Sequence, residues 1–138
     1  MHAAQTLLAS GKRSWPSWLV VASLAAVLLS GCSGSAPSAV DDGQARDTLK
    51  TALDGWKKGD SPSALKEASP SIIVQDLDWI NGDKLVDYQL DGDSKTREAN
   101  LYIPVKLTIK RGQGKEVKKS VSYIVSTNPT HTVFRAFN

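Results

Sequence analysis

The chain has 138 residues, 41% of them hydrophobic and 22% charged, with a formal charge of +3 and one cysteine. That is the size and make-up of one ordinary globular domain. Lys12 and Arg13 precede an apolar run that reads as a removable signal. Without them Lys and Arg fall from 17 to 15 against 14 Asp and Glu, too small a surplus for an electrostatic footprint on nucleic acid.

Residues 1–31 have the three parts of an export signal. Lys12 and Arg13 supply the positive start, Trp18 to Leu29 an apolar core of twelve residues interrupted only by Ser23, and small residues follow. A membrane-spanning helix needs about 20 apolar residues, so this run is too short for one. Leu29-Ser30-Gly31-Cys32 resembles the lipobox of bacterial lipoproteins. The resemblance implies cleavage before Cys32, a diacylglycerol on its thiol and acylation of the new amino end. Two or more acyl chains hold a protein stably on a membrane. The membrane is therefore the expected partner through Cys32, with an uncleaved anchor or an ordinary signal as the alternatives. Lys12-Arg13 is not a twin arginine, which points to Sec export. Ser33 stands where some members of that family carry an inner-membrane-retaining aspartate, so an outer membrane is favoured where the cell has one.

Ser33 to Ala39 is rich in Ser, Gly and Pro, which makes 32–40 a flexible tether. The folded domain is expected over 41–138. Ala45, Leu49, Ala52, Leu53 and Trp56 make one apolar stripe at helical spacing, predicting a helix from Asp41 to Lys58. Asp41 and Gln44 suit a capping box, Lys57 and Lys58 the negative end of the dipole, and Gly59 a left-handed cap. Ser61-Pro62 starts a second, short helix that Ser69-Pro70 ends.

After Pro70 the apolar period drops to two. A first strand region is expected over Ile72 to Ile80, turned by Asn81-Gly82 as a hairpin into Lys84 to Leu90. Asp91 to Ser94 turns the chain again. Ala99, Leu101, Ile103, Val105, Leu107 and Ile109 then alternate with polar residues as a strand with one buried face. Pro104 within it argues for an edge or a bulge. Gly112-Gln-Gly114 leads back into Val117 to Thr127, and Thr132 to Phe137 adds a short last strand. The expected fold is α+β: an amphipathic helix and a short second one on a curved antiparallel sheet of four to five strands.

The stretch "LKTALDGWKKGDSPSALKEASP" is similar to the opening of NTF2-like (cystatin-like) domains, in which an amphipathic helix ends in an aromatic and a Gly-Asp before a second helix. The resemblance covers 44–137 at the level of pattern. It implies a helix cradled by a curved sheet, and in the enzymes of that superfamily a pocket between them. This chain lacks their third helix, which argues against a deep pocket.

Nucleophilic catalysis needs an activated Ser, Cys or Lys beside a base. His131 is the only histidine after the signal and Cys32 is assigned to lipid, so Cys/His chemistry is excluded. His131 follows a turn and reads as a partly satisfied strand residue. Asp76 and Asp78 are the acid/base candidates: two apart in extended chain, they share one side of a strand. Beside Tyr88 or Tyr102 on a concave face, either would serve as an isomerase- or dehydratase-type acid or base. The structural reading has both pointing to water while Leu77 and Trp79 point inward. Asp91 to Glu98 fails as a calcium loop, because Lys95 takes a ligand position and no glycine takes the sixth. No Cys/His cluster or Gly-rich loop suggests a metal or cofactor.

Lys106, Lys110, Arg111, Lys115, Lys118 and Lys119 gather on one predicted hairpin. They suit contact with an anionic partner, or protection of a sheet edge against aggregation. The expectation is a lipid-anchored, exported domain that binds a protein or small molecule without catalysis. The alternatives are a small pocket enzyme using Asp76 or Asp78, which needs a cavity of roughly 300 Å³, and a structural envelope protein. Without catalysis, the interior should be filled by Trp56, Trp79 and strand aliphatics.

Overall fold

The computed structural model describes residues 39–137. The signal, Cys32 and most of the tether lie outside the described residues. The first helix, α1 (Asp42–Lys58), begins where the Asp41 carboxylate accepts the Gln44 N–H at 2.7 Å. It ends at Gly59, whose φ of 95° is the left-handed turn that glycine adopts without strain. Helix α2 (Pro62–Glu67) is capped by Ser61. Strand β1 (Ile72–Gln75) then runs into a single helical turn, α3 (Leu77–Ile80), and five strands follow: β2 (Lys84–Leu90), β3 (Lys95–Arg97), β4 (Asn100–Lys110), β5 (Glu116–Ser126) and β6 (His131–Arg135).

The sheet is a curled half-barrel in the order β1-β6-β5-β4-β2, with β3 also pairing with β4. It encloses α1. Ala45, Leu49, Ala52, Leu53 and Trp56 of the helix join Leu101, Ile103, Val105, Leu107 and Ile109 of β4 in one buried cluster with Tyr123, Val125 and Val133. The indoles of Trp56 and Trp79 stack with centroids 5.2 Å apart and planes within 6°. Each indole N–H reaches a backbone carbonyl, that of Asp83 for Trp56 and that of Asp60 for Trp79. The pair therefore fills the end of the interior with no polar atom left over.

The α+β class and the strand alternation are as expected, but the sheet differs in three ways. It has six strands, and it is mixed, because β1 runs parallel to β6. Asn81-Gly82 is not a hairpin turn between neighbours. Ile72–Ile80 is broken at Asp76, whose side chain caps α3, so Asn81 closes a helical turn and β2 pairs with β4 instead. Pro104 lies in an interior strand. Its carbonyl accepts the Asp91 N–H, beyond the last β2 pair and before the first β3 pair. The donor that Pro104 lacks thus faces a gap in the ladder, where none is needed.

Leu53 is 1% exposed at the centre of this cluster. Leu53→Ala should cost about 2–5 kcal/mol in denaturant unfolding; a change within error would place α1 outside the core.

Candidate functional site

Asp76 is 1% exposed, the one carboxylate buried to that degree among the described residues. Its position follows from local chemistry: the residue after β1 is an aspartate whose Oδ1 accepts the N–H groups of Asp78 and Trp79 at 2.9 and 3.3 Å. That is ordinary helix capping. Its Oδ2 accepts the Tyr123 hydroxyl at 2.6 Å and the Arg135 Nε and Nη2 at 3.0 and 2.7 Å. One side chain thus joins β1, α3, β5 and β6. Both oxygens are engaged by fixed scaffold donors, so neither is free to take a proton from a substrate.

Asp78 faces the solvent side of the same cluster. It accepts the Lys119 ammonium at 2.9 and 3.0 Å and the Arg135 Nη2 at 3.2 Å, with the Arg111 Nη2 at 3.4 Å. Arg111 also pairs with Asp83 at 3.1 Å. Three carboxylates thus meet three cations, and the network is neutral. Partial burial pushes the Asp78 carboxyl up, but Lys119 together with Arg135 and Arg111 outweighs it and holds the group below its ordinary range. Burial, reinforced by Asp76, drives the Tyr123 phenol well above its ordinary value. Desolvation opposes the charge on Arg135, yet Tyr123 and Asp76 keep the guanidinium above its usual range. These shifts lock each group in its resting form, the reverse of what acid/base catalysis near neutrality requires.

The expected exposure of both aspartates is therefore wrong for Asp76, and Asp78 is mostly covered. Trp79 points inward as expected, whereas Leu77 is 58% exposed. Neither anticipated tyrosine reaches them. Tyr88 donates to Asp54 at 2.8 Å, and burial with that carboxylate pushes its phenol up to about 12. Tyr102 lies under the Arg97 guanidinium, 5.2 Å from the ring centroid. His131 is half-buried with Nδ1 3.4 Å from the Thr48 hydroxyl, apart from the cluster.

The basic residues divide. Lys119 and Arg111 belong to the network, and Lys106 pairs with Asp91 at 3.2 Å. Lys110, Lys115 and Lys118 make no ion pair among the described residues. Tyr123 and Arg135 were not singled out from sequence, although a signal existed. Each lies two residues from a core valine on the buried side of its strand, where a polar tip needs a partner.

Above the network lies an apolar groove of about 420 Å³, lined chiefly by Leu77, Ile80, Ile124, Phe134 and Phe137. Phe137 is 84% and Ile80 57% exposed. A second groove, of about 490 Å³, skirts the outside of the tryptophan pair between Gly59–Ser63 and Ile80–Lys84. Its acidic members are Asp60, which is exposed, and Asp83, which Arg111 neutralises. Neither groove holds a buried carboxylate free to act.

Asp76→Asn removes the charge partner of a buried guanidinium and should cost about 3–5 kcal/mol in denaturant unfolding. The Asp76→Ala, Arg135→Ala double variant should lose less than the sum of the single losses; strict additivity would show that the two groups are uncoupled. Asp78, with a lowered folded pKa, adds stability that is present above its unfolded value of 3.8 and lost as pH falls through the folded one. Asp78→Asn should therefore flatten the acid limb of a stability–pH curve below about pH 4. Titration of the Asp78 carboxyl by NMR should fall below that unfolded value, and a midpoint near 6 would restore it as an acid/base group.

Family models, curated protein sequences and solved structures return no match to this chain, so its own geometry carries the functional reading.

Proposed function

We propose that the chain is an exported bacterial lipoprotein, anchored through Cys32, whose domain acts by binding and not by catalysis. The observation that carries the second half is the engagement of Asp76. The one deeply buried carboxylate has every acceptor position taken by the scaffold, and the space a pocket enzyme would keep open is occupied by the Trp56–Trp79 stack. A helix held in a curled sheet supports assignment to the NTF2-like or cystatin-like superfamily, in a form whose helix–sheet interior is filled by side chains. The address rests on Leu29-Ser30-Gly31-Cys32 after a short apolar core, with the outer membrane favoured where one exists.

Binding then falls to the surface, where Leu77, Ile80 and Phe137 are exposed. A patch of that kind on a small domain marks an interaction site.

Intact mass of the membrane fraction should show loss of residues 1–31 and a diacylglyceryl group on Cys32. Cys32→Ala should stay uncleaved or be mis-sorted. Recovery of Lys12 and Arg13 in the mature chain would overturn the anchor.

A further inference from the structure

Strand β5 is paired unevenly. Along one side it matches β4 from Val125 to Glu116, but along the other β6 covers only Tyr123 to Ser126. The last bond on that side is the Ala136 N–H to the Ser122 carbonyl, at 2.9 Å. Beyond it, Glu116 to Val121 has a neighbour on one side only.

The direction of the unused groups follows from strand geometry. In an antiparallel ladder a residue's N–H and C=O point to the same side, and the side alternates along the chain. Ser122 points to the β6 side, so Ser120 and Lys118 point there too. Ser120 and Lys118 are exposed, and their outward backbone groups have no hydrogen-bond partner among the described residues. A row of unpaired donors and acceptors is a template for another strand.

Two further features flank this row. A groove of about 270 Å³ opens against Ser120 and Val121, with Leu77, Ala136 and Phe137 as its apolar walls and the mutually paired Asp78, Lys119 and Arg135 at its charged side. Its size suits one apolar side chain. The unpaired charge beside the edge is positive on balance among the described residues: Lys115 and Lys118 outnumber Glu116, while Asp78 and Asp83 are already neutralised by Lys119, Arg111 and Arg135.

We propose that the open edge of β5, Glu116 to Val121, docks an extended acidic segment of another protein, which adds a strand beside β5 and seats one apolar side chain between Leu77 and Phe137. Main-chain bonds then give affinity, and the groove and lysines give selectivity. The lysines also weigh against a second copy of the chain in the registers centred on Lys118, where an antiparallel β5–β5 pairing sets Lys118 against Lys118 or Lys119, and like charges facing across a ladder are destabilising. Edge protection and partner selection are thus one device: lysine repels its own kind and admits an acidic strand. The proposal rests on the binding-module reading but not on the lipid anchor, so the mass experiment and the one below fail separately.

The test uses full-length chain purified from membranes in mild detergent and a fluorescein-labelled peptide of alternating Glu and Val with a central Leu, followed by anisotropy. The peptide should bind and weaken with added salt. Methylation of alternate peptide nitrogens, which removes strand pairing alone, should weaken it about tenfold or more. Ser120→Pro should do the same. It deletes a donor aimed at the open edge and no β4 ladder bond, so circular dichroism and melting should stay near those of the parent. Lys118→Glu should cost about fivefold or more, and keeps the test alive should the proline variant misfold. Absence of binding, equal binding of the methylated peptide, or equal binding of a Lys-for-Glu peptide would overturn the proposal. So would self-association that Ser120→Pro abolishes, which assigns the edge to a second copy. Competition by phosphatidylglycerol vesicles against a peptide insensitive to methylation would assign the lysines to lipid, with the same consequence.

Discussion

The Asp76 carboxylate determines how the far end of this domain is built. β1 is four residues long and pairs with only one neighbour, β6. Backbone bonds alone hold so short a parallel edge weakly. The carboxylate adds a second attachment: it caps the turn that follows β1 and grips Tyr123 and Arg135 from the two strands beyond. Burying a charge of this kind is costly unless every lone pair finds a donor, and here each oxygen finds two or more. The same completeness removes it from chemistry. A group on which the sheet and the helical turn both depend cannot also exchange protons with a ligand without loosening them.

The network continues outward, and its surface members decide what remains available for binding. Asp78 takes Lys119 and part of Arg111, and Asp83 takes the rest of Arg111. Of the six basic residues gathered around the β4–β5 hairpin, three are thereby committed, once the Lys106–Asp91 pair is included. What stays free is Lys110, Lys115 and Lys118, at the hairpin end away from the core. Charge counted along the sequence overstates the cationic surface, because half of it is answered from α3 and the neighbouring loops.

Legibility in the sequence tracks how local each determinant is. α1 was readable because its stripe, its Asp41 cap and its Gly59 stop are all set within eighteen residues or so of one another. β4 was readable because six alternating apolar residues admit one register only. The run Ile72–Ile80 was not. Ile72, Val74 and Ile80 keep a period of two through Asp76, yet the aspartate side chain binds the two N–H groups ahead of it and winds the chain into a turn. Capping competed with strand period and won. The parallel pairing of β1 with β6 was invisible for another reason: its partner lies some sixty residues away, and Asn81-Gly82 offered a strong local alternative. The aspartates were found as a pair, but their partners Tyr123 and Arg135 are supplied by distant strands, so the pair read as solvent-facing when one member is the centre of the buried network.

The uneven coverage of β5 begins beside the same network. Arg135 at the end of β6 bonds the Asp76 carboxylate, and the next residue, Ala136, makes the last bond to β5 among the described residues. The grip on the buried carboxylate and the last bond along this side of β5 thus come from adjacent residues, Arg135 and Ala136.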